Sequence, residues 1–293
     1  MKIALLLSGG LGYSLLKFIH QSHKIEFVAT DSKSDGIILY ANQHGIPSFK
    51  GNPRGGKLSE FAKEFDNEVL LSINYLFIIE QDMIDLFKYP INFHGSLLPK
   101  YRGRTPHVWA IINNETETGV TAHLIDNNCD TGDIVLQEKI AINPSDTGNN
   151  LLLKYNEVYP EMVNKIIDAI RTNQLTTIRQ DNSQATLFEK RTPEDGEINW
   201  EWQKERIKNW IRAQSTPYPG AFSYIDGNKI IIDEIQFTTF GFNSTIENGT
   251  IINDTPNIIV KTGNGAIELT RIREGKEFCL LNKKLGKNEN RHI

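Results

Sequence analysis

Cysteine is scarce in this chain: Cys129 and Cys279 are the only two among 293 residues. Two thiols are too few for a disulfide framework or a cysteine-based zinc site, so we expect both to be small, partly buried residues. Long apolar runs are missing as well, since no segment approaches the roughly 20 apolar residues that a membrane-spanning helix needs. The sequence therefore predicts no membrane insertion, and its cysteine content fits a reducing cytoplasm.

A surplus of positive charge is also missing. Lysine and arginine number 32 against 36 aspartate and glutamate residues, which gives a net charge of −4. Proteins that coat nucleic acids usually carry a basic surplus, so this balance argues against a nucleic-acid partner, although it leaves room for a local basic patch. We find no internal repeat and no low-complexity tract, and the length suits one large domain or two of ordinary size.

The chain opens with one lysine and a short apolar run, Ile3 to Leu7. The run resembles a signal peptide, but it has only five residues and no small-residue cleavage pattern follows it. We therefore expect a buried strand over 2–7, a Gly-rich turn at 8–12 and then a helix with apolar periodicity. The turn lacks the full G-x-G-x-x-G spacing, which argues against a nicotinamide dinucleotide.

Strands and helices alternate through the first two thirds of the chain. Buried strands are predicted at 26–30 and 69–73, short helices within 36–45, 58–65 and 80–87, and a long amphipathic helix over 148–172. This alternation predicts a Rossmann-like α/β domain over 1–198, with a parallel sheet covered by helices. Such sheets bind ligands at the carboxyl ends of their strands, which is where residues 92–96 fall.

The last third changes character. A short helix rich in tryptophan, which we expect to form a hydrophobic clamp between domains, precedes five short strands separated by turns such as Asp226-Gly227-Asn228. Strands at roughly ten-residue spacing with such turns predict a small antiparallel, barrel-like β domain. We place it, with the linker helix, at 199–293. The predicted strands are 221–225, 229–237, 249–253, 257–262 and 266–272.

Polar residues alternate along one segment of the first domain. Asn92, His94 and Ser96 share one face of an extended chain, while Ile91 and Phe93 face the other way. An Asn-x-His pair ahead of a stretch containing Pro and Gly is also typical of a hydrogen-bonded turn, so these residues alone leave both interpretations open.

A longer pattern favours a catalytic site. Three pieces follow one another along the chain: Ser-Leu-Leu-Pro-Lys-Tyr-Arg-Gly at 96–103, Gly-Val-Thr-Ala-His at 119–123 and Asp-Thr-Gly-Asp-Ile-Val at 130–135. Together they resemble the formyltransferases that use 10-formyltetrahydrofolate, and the resemblance covers nearly the whole chain. It is closest in the sugar-nucleotide N-formyltransferases, such as the formyltransferase domain of the bifunctional enzyme that modifies UDP-4-amino-arabinose. It is nearly as close in methionyl-tRNA formyltransferase.

The residues suit that chemistry. Formyl transfer passes through a tetrahedral intermediate whose oxygen is negatively charged, and the Asn92 amide can donate a hydrogen bond to it. His94 can accept a proton or, once protonated, act as a second donor. Asp130 would stabilise and orient the imidazolium, and Ser96 would support the ring. The resemblance gives Asn92, His94 and Asp130 the same roles, whereas Asp133 competes for the carboxylate role and fits a structural one better.

The resemblance also implies two binding regions. One is a pocket for the formyl donor, 10-formyltetrahydrofolate, with a wall formed by Asn74, Tyr75 and Leu76 and a close backbone approach at Gly132. The other is for the substrate, where a cationic loop beside the site would hold a diphosphate. We assign to this substrate region Ser8, Gly9, Gly10, Lys100, Tyr101 and Arg102. No metal is expected, because His107 and His123 lack partners at metal-ligand spacing and are interpreted as structural.

One difference between the sugar-nucleotide N-formyltransferases and methionyl-tRNA formyltransferase indicates the acceptor. The tRNA enzymes carry a long basic insertion after the second strand, whereas the matching residues here, 29–36, are short and nearly neutral. We therefore expect the acceptor to be the free amine of a nucleotide-linked amino sugar, a surface-polysaccharide precursor, with UDP preferred over dTDP. Methionyl-tRNA formylation is the alternative. A folate-sensing binding protein and a formyl-folate hydrolase are further readings, and a homodimer is left open.

Overall fold

The computed structural model describes residues 1–287, which pack into two compact units that interleave along the chain. The predicted domains, 1–198 and 199–293, are two continuous segments, whereas each unit consists of several segments. The predicted boundary therefore stays a prediction. The first unit comprises Met1–Pro106, Thr118–Ile140 and Lys154–Phe188. The second comprises His107–Glu117, Ala141–Leu153 and the chain from Glu189 onward.

Strands and helices alternate up to residue 188, with two short strands and an antiparallel strand near the end of the series. The elements are β1 (Ile3–Leu7), α1 (Gly9–His20), β2 (Ile25–Thr30), α2 (Asp35–Gln43), β3 (Ser48–Lys50), α3 (Lys57–Ala62), β4 (Val69–Ile73), α4 (Gln81–Ile84), β5 (Tyr89–His94), β6 (Arg102–Gly103), α5 (Pro106–Ile112), β7 (Glu117–Leu124), β8 (Ile134–Ala141), α6 (Gly148–Arg171) and β9 (Leu187–Phe188).

The main sheet of the described chain has seven strands in the order β3-β2-β1-β4-β5-β7-β8. The pairs from β3 to β5 are parallel, and β7 runs antiparallel to β5. Strands β1 and β4 are buried along their whole length, as expected of central parallel strands whose sequences are aliphatic except for Ser72. Because β1, β4 and β5 are neighbours, the residues that follow their carboxyl ends lie along one edge of the sheet.

Two predicted helices are shorter than the apolar periodicity suggested. Helix α3 ends at Ala62 and α4 at Ile84, although apolar residues continue to Phe65 and Phe87. In both places the amides bond to carbonyls three residues back, so the chain tightens into turns that still bring these rings to the core. Periodicity reports which side chains are buried and does not separate α-helical from turn backbone.

The second unit is built on an antiparallel sheet. Five strands in the order β10-β11-β14-β13-β12 enclose an aliphatic core with Trp200 and Ile207. Trp202 and Trp210 pack edge to face with ring centroids 4.9 Å apart, so the tryptophans belong to this unit's packing. The elements are α7 (Lys204–Ala213), β10 (Ala221–Ile225), β11 (Asn228–Thr238), β12 (Ile251–Asn253), β13 (Ile259–Thr262) and β14 (Gly265–Glu274).

The described residues contain neither a membrane-spanning helix nor a cluster of metal ligands. No helix within residues 1–287 is both long and apolar enough to cross a bilayer. The same residues bring together no group of three or more His, Cys, Asp or Glu side chains that would hold a metal ion.

Candidate active site

The site begins at the end of β5. Alternation along this strand buries Ile91 and Phe93 on one face and places Asn92 and His94 on the other. In the antiparallel register with β7, Asn92 lies directly opposite His123, and such cross-strand neighbours are close enough for their side chains to interact. The Asn92 Nδ2 atom is 3.2 Å from His123 Nε2.

His123 fixes the orientation of the Asn92 amide. Its Nδ1 lies 2.7 Å from the Leu124 carbonyl oxygen, which only accepts, so Nδ1 carries the proton of the neutral ring. The bare Nε2 then accepts a hydrogen bond from the Asn92 NH2 group. This bond identifies the amide nitrogen of Asn92 and directs its second N–H away from His123.

His94 is oriented by the loop that follows it. Its Nε2 donates to the Tyr101 carbonyl at 2.7 Å, so Nδ1 is the nitrogen that can take up and release a proton. Nδ1 lies 3.5 Å from the Asp130 carboxylate. Burial lowers the pKa of His94, because the charged ring would lose solvation, while Asp130 opposes this effect without overcoming it. The ring is therefore neutral at neutral pH.

Asp130 lies between two imidazoles. One carboxylate oxygen faces His94 and the other is 3.6 Å from His123 Nε2, while the Gly103 amide donates to Oδ2 at 2.9 Å. Burial by itself would raise the pKa of Asp130, but the neighbouring His94 and His123 side chains and the hydrogen bond from the Gly103 amide hold it well below its usual range. Asp130 is therefore an ionised carboxylate, and only 10% of its side chain is exposed.

Two predicted residues make hydrogen bonds within the loop that follows His94. The Ser96 hydroxyl donates to the Lys100 carbonyl at 2.7 Å, so it braces the loop and leaves the His94 ring to the Tyr101 carbonyl. The Tyr101 ring stacks on Phe188 with centroids 5.0 Å apart, and its amide donates to Thr186 Oγ1. The Tyr101 carbonyl thus holds the His94 ring, and the predicted substrate role of Tyr101 stays a prediction.

Arg102 differs from the other cations of its loop. Its buried guanidinium donates from Nη2 to Gln180 Oε1 at 2.7 Å and to Asn182 Oδ1 at 2.8 Å, and from Nε to Gln180 as well. These bonds tie the Nε and Nη2 atoms to the protein, and the predicted substrate role of Arg102 stays a prediction. The neighbouring cations lie at the surface: Lys100 is exposed, and exposed Arg104 donates to the Leu76 carbonyl.

The turn before α1 adjoins the end of β4. Asn74, with φ of 54°, donates from Nδ2 to the Ser8 carbonyl at 3.0 Å. The Gly9 amide donates to Ser34 Oγ at 2.9 Å, and Gly9 itself has φ of 64°, a conformation that glycine adopts readily. Gly10 has open space where a Cβ would stand. The predicted folate residue Asn74 and the predicted substrate residues Ser8 and Gly9 are thus immediate neighbours.

The remaining predicted folate residues differ in their surroundings. Leu76 is exposed, whereas Tyr75 is partly buried and burial raises the pKa of its hydroxyl above the usual value. Gly132 is needed for a reason that we did not predict: a Cβ there would stand 1.8 Å from the Leu124 carbonyl oxygen. Its close backbone neighbour in the structure is the Leu124 carbonyl of β7, and the predicted folate contact stays a prediction.

Sequence reasoning missed two residues of this site. His123 was interpreted as structural, although its position in the Gly119–His123 motif and its register opposite Asn92 were signals that it belongs here. Gln180 gave no sequence signal, yet it bonds to the backbone of the Asp130 loop.

Comparison with known proteins assigns the site to a class. Residues 1–167 match the formyl transferase family, and residues 190–283 match the family of the formyl transferase C-terminal domain. The first match alone covers more than half of the chain, so the protein belongs to the formyl transferase family. The predicted family, enzyme class and fold class are confirmed.

One curated relative is the bifunctional polymyxin resistance protein ArnA of Wigglesworthia glossinidia brevipalpis, which is 36% identical over 256 residues. The match covers 85% of this chain and 38% of ArnA, so the chain spans well under half the length of that relative.

Solved structures show the same fold. WlaRD, a sugar 3N-formyl transferase studied with dTDP and 5-N-formyl-THF, superposes with a TM-score of 0.69 at 25% identity, covering 92% of this chain and 98% of its own. An N-formyltransferase from Helicobacter canadensis, in complex with folinic acid and dTDP-3-aminofucose, gives 0.70 at 26% with the same coverage. Methionyl-tRNA formyltransferase from Clostridium thermocellum, at 0.60 and 19% identity over 94% of this chain and 100% of its own, shares the fold.

Proposed function

We propose that this enzyme transfers the formyl group of 10-formyltetrahydrofolate to the free amine of a nucleotide-linked amino sugar. The observation that carries the proposal is the cluster at the end of β5, where the Asn92 amide and the His94 and Asp130 side chains converge. An oriented amide donor beside a neutral imidazole and a carboxylate is what acyl transfer to an amine requires. The sugar N-formyltransferases among the similar structures support an amino sugar as acceptor.

Each side chain has one task in this reaction. As the amine nitrogen bonds to the formyl carbon, Asn92 donates its second N–H to the oxygen that becomes negative. His94 accepts the amine proton at Nδ1, and Asp130 stabilises the resulting imidazolium from 3.5 Å. The same nitrogen then returns the proton to N10 of the folate as the bond from N10 to the formyl carbon breaks. The products are the formamide and tetrahydrofolate, and His94 ends neutral.

The binding positions of the formyl donor and of the nucleotide sugar are part of the proposal. We propose that the formyl donor lies against Asn74, Tyr75 and Leu76, with support from the folates in two similar structures. Lys100 and Arg104 are the exposed cations offered to a diphosphate. The sequence resemblance to the enzyme that modifies UDP-4-amino-arabinose favours UDP, whereas the two similar structures were studied with dTDP ligands. We place the reaction in the cytoplasm.

The connection after β2 argues against tRNA as acceptor. Only four residues separate Thr30, the end of β2, from Asp35, the start of α2. Within them Asp31 accepts from the Ser34 hydroxyl at 2.6 Å and from the Lys33 amide at 2.7 Å. A loop this short, and closed on itself, offers no basic extension for an RNA backbone.

The experiment is a panel of UDP- and dTDP-linked amino sugars incubated with the protein and 10-formyltetrahydrofolate. We expect mass spectrometry to find one formyl group added to a UDP-linked sugar, with a slower reaction on the dTDP analogue and none with His94→Ala. Formylation of dTDP sugars alone would reverse the nucleotide choice. Formylation of methionyl-tRNA in a parallel incubation, with no sugar modified, would replace the proposed function by the alternative.

A further inference from the structure

Gln180 is a buried glutamine whose amide uses its whole hydrogen-bonding capacity. Its Nε2 donates to the carbonyls of Asp130 and Gly132, at 2.9 and 2.8 Å. Its Oε1 accepts from Arg102 Nη2 at 2.7 Å and from Arg102 Nε at 3.2 Å. Two N–H groups and two lone pairs are the full inventory of an amide, so every one is committed to this place.

The donor half of Gln180 acts on a strained backbone. Asp130 has φ of 57°, in the left-handed region that residues with a side chain rarely occupy. The two carbonyls that Gln180 holds belong to Asp130 itself and to Gly132, two residues further on. They fix the peptide conformation that turns the Asp130 carboxylate toward His94 and His123.

The acceptor half acts on the loop that orients His94. Arg102 stands between Tyr101, whose carbonyl accepts from His94 Nε2, and Gly103, whose amide donates to Asp130 Oδ2. The Arg102 amide donates to the Thr186 carbonyl at 2.9 Å, which ties the same loop to the segment that carries Gln180. One side chain therefore joins the loop that holds the imidazole to the loop that holds the carboxylate.

We propose that Gln180 is a positioning residue for formyl transfer, which sets the separation of the Asp130 carboxylate and His94 Nδ1 by tying their two loops together. The inference rests on the proposed function for its kinetic consequence, and on geometry alone for its structural one. The hydrogen bonds of Gln180 go to Arg102 and to the carbonyls of Asp130 and Gly132, and not to the His94 ring or the Asp130 carboxylate. Loss of Gln180 should therefore slow the chemical step and leave substrate binding largely intact.

The test compares Gln180→Met with Gln184→Met. Methionine keeps the length of glutamine and removes its polar atoms, and Gln184 is an exposed residue on the same segment. We expect Gln180→Met to lower kcat on the order of tenfold to a hundredfold, as for a misplaced catalytic group, with KM values changed by no more than about twofold. Gln184→Met should behave as the wild type. Equal kcat in the two variants would overturn the proposal.

A second variant separates the two halves of the amide. Gln180→Glu keeps an acceptor for Arg102 and removes both donors to the Asp130 loop, and its buried charge stays paired with the guanidinium. We expect the same loss of kcat as in Gln180→Met. Wild-type turnover in Gln180→Glu would show that the donors do not position Asp130, and this variant decides the matter if Gln180→Met fails to fold.

A measurement without substrates distinguishes failure of this inference from failure of the proposed function. In the unliganded protein, NMR titration of the His94 ring reports its contact with Asp130, which raises the pKa of His94 against the effect of burial. If the loop relaxes in Gln180→Met, His94 should titrate at lower pH than in the wild type. An unchanged titration would overturn the positioning role, even if no acceptor in the sugar panel were formylated.

Discussion

The Asp130 carboxylate faces two imidazoles at nearly equal distance, 3.5 Å to His94 Nδ1 and 3.6 Å to His123 Nε2. The two rings are not equivalent. His123 Nε2 already accepts from the Asn92 amide, whereas His94 Nε2 donates to the Tyr101 carbonyl and leaves Nδ1 toward the carboxylate. We therefore expect His123 to orient the amide donor and His94 to exchange the proton.

The first prediction concerns the proton-transfer pair. Because Asp130 stabilises the protonated form of His94, we expect His94→Ala and Asp130→Ala each to lower kcat by at least about a hundredfold. The double variant should be little worse than the more damaging single one, since residues that act as a unit are not additive. Steady-state kinetics with the sugar nucleotide that the wild type formylates measures kcat for all three variants. Near-normal turnover in His94→Ala would remove His94 from the mechanism.

The second prediction concerns His123. We expect His123→Leu to lower kcat by roughly tenfold or more, because the Asn92 amide loses the partner that orients it. In an Asn92→Ala background the same change should cost much less, which gives a positive coupling in a double-mutant cycle. Full additivity of the two changes would mean that His123 acts on something other than Asn92.

The third prediction follows from the hydrogen bonds of buried Arg102. Replacing it with alanine leaves the buried Gln180 oxygen without its donor and removes the bond to Asn182, so the free energy of unfolding should fall by about 2 kcal/mol. Lys100→Ala should leave unfolding within about 0.5 kcal/mol of the wild type, because this side chain is exposed. Urea denaturation measures both changes.

The same two variants separate stability from substrate binding. If Lys100 binds the diphosphate, Lys100→Ala should raise the KM for the sugar nucleotide roughly tenfold, as loss of a charged hydrogen bond does, and leave the KM for the folate unchanged. A shift in the folate constant instead would move the cationic loop to the donor side.

The fourth prediction concerns acid stability. Burial lowers the pKa of His107 from 6.5 to about 4, and its Nε2 is 2.8 Å from the Tyr218 hydroxyl in the second unit. As the pH falls from 6.5 toward 4, the unfolded chain binds the proton first, so folding stability present above pH 6.5 is lost, by up to about 3 kcal/mol from this group. His107→Gln should lose that much less over the same range in urea unfolding. Equal losses would show that the pKa of His107 is the same in the folded and the unfolded protein.

The sequence predicted the local part of this structure well. Alternation along β5 was enough to place Asn92 and His94 on one face, and the aliphatic runs at β1 and β4 were enough to predict central parallel strands. Both are properties of neighbouring residues, which a periodic pattern records.

Pairings between distant residues could not be predicted in the same way. Arg102 and Gln180 are 78 positions apart, and nothing in either neighbourhood marks them as partners. An arginine in a loop beside a catalytic motif looks the same in sequence whether its guanidinium points to a phosphate or to a buried amide. The roles of the Tyr101 carbonyl and the Gly103 amide were also hidden, because every residue has a carbonyl and all but proline have an amide.

That use of the backbone affects how the enzyme can diversify. In the loop from Lys100 to Arg104, the groups that reach His94 and Asp130 are a main-chain carbonyl and a main-chain amide, while the two terminal side chains face solvent. We therefore expect substitutions at Lys100 and Arg104 to change which nucleotide sugar is accepted without altering the atoms that hold His94 and Asp130. Mutation or design directed at these two positions is the route by which acceptor choice should change while formyl transfer is retained.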